Sequence, residues 1–320
     1  MATSCKILIA TMINQIVTVT LNPSIDKSAN TPSLIPDQKL KCTGIKFEPG
    51  GGGINVSRAI KQLGGNSKAM FLAGGYFGNF FIDLIKREEL LHENYKIKNN
   101  TREGFILYDE SNANQYLFDM EGPHVEEKEW QGFLKKIQKL NTVEYLVASG
   151  SLPPGVPIDF FGRLAKIAKT KGAKFIVDTS GDALKIAISE GVYLFKPNLR
   201  ELKNLVGFQE TDLETVKQKA MELLNTYNCE AIVVSLGADG ALLVSKILTE
   251  HIASPKIKKM STVGAGDSMV GGIVLSLSKN KSMQEAVRYG VACGAAATLN
   301  PGTALCKKED ADALYNQIVG

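Results

Sequence analysis

Ser261-Thr-Val-Gly-Ala-Gly-Asp-Ser268 leads directly into Met269-Val-Gly-Gly-Ile-Val-Leu-Ser-Leu277. Two glycines and an aspartate followed by an apolar run read as a tight turn feeding a helix. The backbone N–H groups of Gly264, Ala265 and Gly266 then lie at a helix N-terminus with little side chain in the way. Such a terminus attracts anions through its orphan donors and its dipole. Asp267 stands beside it, where a carboxylate can take a proton from an attacking hydroxyl. An anion cradle with an adjacent base is the minimum apparatus for phosphoryl transfer. A plain turn capped by Asp reads the same eight residues, so the decision falls to the rest of the chain.

Working outward, short apolar runs alternate with helical patterns. Ile16–Leu21 reads as a first strand, β-branched and alternating, closed by Asn22-Pro23. Gly50–Gly53 open a helix over 54–63, stopped by Gly64-Gly65. The runs 68–73, 145–148, 175–178, 193–195 and 231–235 read as strands. Patterns over 79–91, 158–171, 183–190 and 212–227 read as helices, and the last third as helices near 266–278, 283–299 and 308–319. This alternation predicts an α/β, Rossmann-type core with a mostly parallel sheet covered on both faces. Segments near 26–47 and 104–118 are strand-like without intervening helices. They predict a small antiparallel sheet standing off the core as a lid, a device that excludes water from a reaction. The expected organisation is one domain over 13–320, with lid segments near 26–48 and 100–120 inserted in it. Met1–Met12 is read as a dispensable extension, with Met12 an alternative start.

Composition narrows the function. At 320 residues and 44% hydrophobic, the chain can bury a large core. A net charge of +4 suits an anionic small substrate and an ordinary solvated surface equally. Lys and Arg do not interleave with aromatics, so nucleic-acid binding has little support. Cys5, Cys42, Cys229, Cys293 and Cys306 are odd in number and widely spaced, which points to free thiols in a reducing, cytoplasmic setting. His92, His124 and His251 lie far apart without a zinc-type motif. No stretch reaches the roughly 18 apolar residues of a membrane span.

Ligands of open α/β sheets sit at the carboxyl ends of the strands. Four candidate segments fall there: Asn22–Asp26, Ser149–Gly155, Lys196-Pro-Asn198 and Ser235–Gly240. Gly50-Gly-Gly-Gly-Ile-Asn55 suits a close backbone approach to a ligand, or simply a hinge into the helix. It lacks the spacing of a dinucleotide fingerprint, and no P-loop occurs anywhere. Asn198 and Glu201 place two oxygen-bearing side chains on one face of a helix start. That suits a hydrated Mg²⁺ beside phosphates, and a capping box even better. Taken singly, Asp26 reads as a turn or capping residue, Arg102 as a surface charge, and Lys39 and Lys41 as a solvated strand face.

Together and in this order, the motifs resemble the ribokinase-like, or phosphofructokinase B, sugar kinases over nearly the whole chain from about Ile13. Glu48–Val56 and Ser261–Val270 are most similar to the branch of minor 6-phosphofructokinases. The resemblance implies a β-sheet lid that pairs with the lid of a second subunit in a homodimer. It implies ATP with Mg²⁺ as donor and a ketohexose phosphate as acceptor. Asp267 would be the base, with Gly264, Ala265 and Gly266 stabilising the moving phosphoryl group. Asp26, Gly50, Gly51, Asn55, Arg102 and Ser151 would hold the sugar phosphate, with Lys39 reaching across from the partner's lid. Lys196, Asn198, Ser235, Gly237, Gly240 and Thr262 would line the nucleotide, and Glu201 would help position Mg²⁺. A monovalent-cation site, K⁺ if filled, carries over near Ser261, Val263, Ala297, Asn300 and Gly302. The branches that phosphorylate fructose 1-phosphate or tagatose 6-phosphate usually have a lysine where this chain has Gly52, which favours fructose 6-phosphate. Ala304 stands where close members of the family have an arginine, beside the cation site. A silent sugar-phosphate or nucleotide sensor on the same fold is the rival of another class.

Overall fold

The computed structural model describes residues 16–300 and 302–320. The extension over residues 1–12 lies outside them. In chain order the first half runs β1 (Ile16–Thr20), β2 (Ser24–Thr31), β3 (Thr43–Gly50), α1 (Gly52–Gln62), β4 (Lys68–Gly74), α2 (Gly75–Arg87), β5 (His92–Ile97), β6 (Arg102–Asp109), β7 (Asn114–Asp119) and α3 (Glu127–Gln138). The second half runs β8 (Tyr145–Ser149), α4 (Phe160–Lys171), β9 (Lys174–Asp178), α5 (Gly181–Ser189), β10 (Val192–Phe195), α6 (Leu199–Val206), α7 (Leu213–Thr226), β11 (Cys229–Ser235), β12 (Ala241–Ser245), β13 (Thr249–Ile252), α8 (Ala265–Ser278), α9 (Met283–Thr298) and α10 (Lys308–Val319).

Nine strands form the main sheet in the order β13-β12-β11-β10-β9-β8-β1-β4-β5. Neighbours from β11 through β5 run parallel, and β12 and β13 add an antiparallel edge. β1 lies where the winding reverses, between β4 and β8. A crevice at the carboxyl ends of the strands is the expected ligand position of such a sheet. β1 is buried at all five residues, Thr18 and Thr20 included. Its sequence alternation therefore does not mark a wet face. Thr18 Oγ1 instead meets Ser57 Oγ at 2.8 Å, and Ser67 Oγ bonds the same serine at 2.8 Å. Helices cover both faces of the sheet: α3 to α7 on one, α1, α8, α9 and α10 on the other.

The smaller sheet has the order β3-β2-β6-β7. The sequence suggested a purely antiparallel lid, and here the structure differs. β2 and β6 run parallel, from Ser24 opposite Arg102 to Thr31 opposite Asp109. The two strands belong to separate insertions, each leaving the core in the same direction, so a hairpin cannot join them.

α8 is the helix predicted behind the cradle. Ser268 through Leu277 are all buried in it. Gly271 and Gly272 let its neighbours come close. A Cβ at Gly271 would lie 2.9 Å from the Ala59 Cβ of α1, and one at Gly272 2.6 Å from the Cys293 Sγ of α9. The helix end that carries the site is thus held by packing on both sides.

Candidate active site

Gly264 is the N-cap of α8, with φ 74° and ψ 0°. Only glycine adopts that left-handed conformation freely, and a Cβ here would also strike Leu305 Cδ2 at 2.5 Å. The turn gathers the N–H groups of Gly264, Ala265 and Gly266 at the helix start, where Ala265 N–H meets Thr262 O at 3.4 Å. Asp267 lies in the first helical turn. Its Oδ2 accepts from Asn55 Nδ2 at 3.0 Å and its Oδ1 from Ser149 Oγ at 3.4 Å. Burial, then the nearby Asp178 charge, push its pKa up to about 6; Asn55, Lys196 and Ser149 only partly offset them. A carboxylate with that pKa is ionised at neutral pH and still basic enough to take a proton.

The other groups line up along the carboxyl edge of the sheet, strand by strand. Asn22 follows β1, and its Nδ2 donates to Ser151 Oγ at 3.0 Å, after β8. Asp178 ends β9 and pairs with Lys196, after β10, at 3.2 Å. Lys196 is buried. Burial opposes its charge, but Asp178, with Asp267 and Glu201 behind it, outweighs that effect and raises its pKa. An isolated bridge joins Asn198 to Ser235 at the end of β11. Gly237–Asp239 then form a short 3₁₀ turn closed by Gly240. A cleft of about 400 Å³ opens beside that turn, lined by Leu199, Leu236, Ala238, His251, Ala253 and Lys256 among others. Thr262 is exposed and caps the turn before the cradle, its carbonyl accepting from Ala265 N at 3.4 Å.

At the opposite end, Asp26 of β2 accepts from Ser24 Oγ at 2.6 Å. Burial raises its pKa, against the pull of Ser24, Arg102 and Arg58. Gly50 ends β3, so close that a Cβ would lie 2.1 Å from Asp26 Oδ2. Gly51 caps α1. A Cβ at Gly52 would lie 2.2 Å from Ser149 Oγ and 2.8 Å from Gly150 N. Arg102 is not the solvated charge it resembles in isolation. Its guanidinium bonds the Asp119 carboxylate, Met120 O at 3.2 Å and Asn22 O at 3.3 Å. Asp119 and Met120, with Asn22, Leu152 and Pro153, line a second cleft of about 590 Å³.

One of three further expectations changes. Lys39 and Lys41 are exposed, but in the loop between β2 and β3 and not on a strand face. Asn198 and Glu201 do form the capping box: Glu201 N bonds Asn198 Oδ1 and Asn198 N bonds Glu201 Oε2, both at 2.9 Å. One Glu201 oxygen remains outside the box, and no group of three or more His, Cys, Asp or Glu among the described residues can hold a metal. That donor set fits a cation held mainly by phosphates and water, not a protein cage. In the expected monovalent-cation region, Ser261 Oγ bonds Gly302 O at 2.8 Å and Gln115 Oε1 at 3.1 Å, and Val263 N bonds Ser261 Oγ at 3.2 Å. Asn300 N bonds Ala297 O at 3.2 Å. The segments meet, and carbonyls such as Gly302 O and Ala297 O keep a second lone pair. The Asn300 amide faces Ala296 O and Leu305 O instead.

Asp178 is absent from the residues the sequence singles out, and Asn22 and Ser149 enter there only as the first residues of candidate segments. Each ends or follows a strand, and that position is the one signal that marks them.

A helix-end anion cradle, an enclosed carboxylate and a buried lysine on one sheet edge describe a phosphoryl-transfer site on an α/β fold. The chain belongs to the pfkB family of carbohydrate kinases, whose model matches residues 16–310. It is 42% identical over 302 residues to the ATP-dependent 6-phosphofructokinase isozyme 2 of Escherichia coli strain K12, covering 94% of this chain and 98% of that one. It is 32% identical to the 1-phosphofructokinase of Bacillus subtilis strain 168, covering 88% of this chain and 91% of that one. The crystal structure of Escherichia coli phosphofructokinase-2 with potassium superposes with a TM-score of 0.92 at 41% identity, over 96% of this chain and 100% of the other. The same enzyme with fructose 6-phosphate superposes with a TM-score of 0.90 at 40% identity and the same coverage.

Proposed function

We propose that this chain is an ATP-dependent 6-phosphofructokinase that transfers the γ-phosphoryl group to the 1-hydroxyl of fructose 6-phosphate. The observation that carries the chemistry is Asp267, enclosed between Asn55 and Ser149 beside the N-terminus of α8. The observation that favours this acceptor is Gly52, whose contact with Ser149 and Gly150 leaves no room for the lysine of the 1-phosphofructokinase branch. The acceptor is also that of the 42% identical 6-phosphofructokinase isozyme 2 of Escherichia coli, whereas the 1-phosphofructokinase of Bacillus subtilis is 32% identical.

Asp267 takes the proton of the 1-hydroxyl as that oxygen attacks. The N–H groups of Gly264, Ala265 and Gly266 receive the charge of the moving phosphoryl group, and Lys196 supplies a buried cation nearby. Asp26, Gly50, Gly51, Asn55 and Ser151 orient the sugar. Arg102 exchanges Asp119 for the 6-phosphate, a stronger partner for a guanidinium. Asn198, Ser235, Gly237, Gly240 and Thr262 line the nucleotide. Mg²⁺ near Glu201 would neutralise charge on the phosphates of ATP. Ser261, Val263, Ala297, Asn300 and Gly302 form the monovalent-cation region. The reading places the enzyme in the cytoplasm. Among the described residues no helix is long and apolar enough to cross a membrane.

The reading includes a homodimer built through the smaller sheet. Phe47 and Phe118, both more than 40% exposed, stand in one cross-strand row through Lys27 and Phe105, apolar side chains on one face that a second copy would cover. Lys39 lies beside it, in the β2–β3 loop, and acts on the partner's acceptor. Lys39→Ala is expected to raise KM for the sugar phosphate far more than KM for ATP. Mixing inactive Lys39→Ala and Asp267→Asn chains is expected to restore activity, because one site in each mixed dimer holds both native residues. Efficient subunit exchange without recovery would place the lysine outside the neighbouring site.

Steady-state kinetics on a panel of hexose phosphates test the assignment. We expect kcat/KM to be highest with fructose 6-phosphate, above fructose 1-phosphate and tagatose 6-phosphate. A preference for fructose 1-phosphate would reassign the chain to the rival branch, and no turnover with any acceptor would favour a sensor.

A further inference from the structure

Arg58 is a buried cation that the reaction as described does not use. It projects from α1 and is 3% exposed. Its Nε and Nη2 fork onto Glu88, each at 2.7 Å, and Nη2 also reaches Glu48 at 3.0 Å. The remaining nitrogen, Nη1, donates to Pro49 O at 3.2 Å and to Asn55 Oδ1 at 3.3 Å. Glu48 is held in turn by Thr303 Oγ1 at 2.5 Å. The cluster therefore joins the end of β3, helix α1, the residue after α2 and the loop that follows α9.

Its consequence lies one residue further on. Asn55 offers one acceptor end and one donor end. Its Oδ1 faces Arg58, and its Nδ2 donates to Asp267 Oδ2 at 3.0 Å. A guanidinium has no acceptor, so only Oδ1 can face it. An ionised carboxylate has no donor, so only Nδ2 can usefully face that. Arg58 thereby decides which way round the amide sits. We infer that Arg58 is a positioning residue for phosphoryl transfer: by locking the orientation of Asn55 it keeps a hydrogen-bond donor on the base Asp267. This rests on the reading of Asp267 as the base.

Without the lock the amide can turn and present Oδ1 to Asp267. An acceptor against a carboxylate disfavours its ionised form. The other groups acting on Asp267, namely Asp178, Lys196 and Ser149, stay in place. The acid limb of activity should then move to higher pH.

The test compares kcat/KM for fructose 6-phosphate against pH in wild type, Arg58→Gln and Arg58→Lys. The lysine variant keeps the charge beside Glu48 and Glu88 and so protects folding. Its single ammonium cannot fork to both glutamates and Asn55 at once. The expected result is an acid limb raised by roughly half to one pH unit in both variants. At pH 6.5 kcat/KM should fall roughly 1.5- to 3-fold, with KM for ATP unchanged. The acceptor's own phosphate titrates near pH 6, but equally for every variant, so the difference between profiles reports the protein. In an Asn55→Ala background, Arg58→Lys should cause no further shift. A structural clamp alone predicts a lower Tm with an unmoved limb. That result in Arg58→Lys, or a shift that persists without Asn55, overturns the inference. If instead Asp267→Asn retains full turnover, the reading of the base fails first, and the two failures are distinct.

Discussion

Asp267→Asn is expected to lower kcat by about 10²–10⁴, the usual worth of a positioned general base. The asparagine keeps the shape and can still bond Asn55 or Ser149, so nucleotide binding should be retained. Stability should not fall. The sign follows from the raised pKa. The folded protein holds the Asp267 proton up to about pH 6, whereas an unfolded chain releases it near the ordinary aspartate value of 3.8. Between those limits stability declines as pH rises, and above the upper one an ionised, enclosed carboxylate carries a constant cost. Asparagine removes that cost, so Tm near neutral pH should be equal or higher. In wild type, activity should fall as pH drops through about 6, where Asp267 gains its proton. Calorimetry with a coupled ADP assay checks both. A variant that keeps a tenth or more of wild-type turnover would exclude Asp267 as the base.

The second large effect is expected at Gly52. A lysine here would act through both charge and crowding. The structure makes crowding the greater part. The first side-chain carbon alone would lie 2.2 Å from Ser149 Oγ and 2.8 Å from Gly150 N. The serine hydroxyl can turn away, but the Gly150 backbone is anchored by its N–H to Asp178 O at 3.0 Å. Ser149 also bonds the base, so the strain reaches Asp267. Gly52→Ala should therefore already cost about 1–3 kcal/mol of stability, as overpacking does, and lower kcat/KM for fructose 6-phosphate at least tenfold. Gly52→Lys should lose as much or more, and its preference for fructose 6-phosphate over fructose 1-phosphate should narrow. Both acceptors must be measured on all three proteins. If Gly52→Ala behaves as wild type, the α1 start has room to move, and the acceptor argument from Gly52 loses its steric basis.

Much of this site is legible in the chain because its parts are local. Gly264–Asp267 form one turn and its helix start, and the backbone conformation demanded at Gly264 is written in that residue. Asn198 and Glu201 close a box within a single helical turn, so spacing alone predicts it. The strand ends at Asn22, Ser149, Lys196 and Ser235 follow from runs of apolar residues, each complete within a few positions. Lys39 shows the limit of that kind of reading. An alternating stretch looks like a strand, yet residues 37–42 form a loop, because no neighbouring strand is there to pair with them.

What the chain alone determined, then, was the alternation of elements, the turn chemistry and the cradle with its aspartate. All depend on neighbours in sequence. The tertiary structure alone decided which distant groups meet. Parallel pairing of β2 with β6 is set by how two insertions leave the core. Asp178 raises the pKa of Asp267 across 89 positions of sequence because β9 and the start of α8 converge at one sheet edge. Arg58 and Glu88 look like ordinary surface charges until packing buries the arginine beside Asn55. Hydrogen bonding and desolvation act over a few ångströms of space, and the chain order carries no record of those distances.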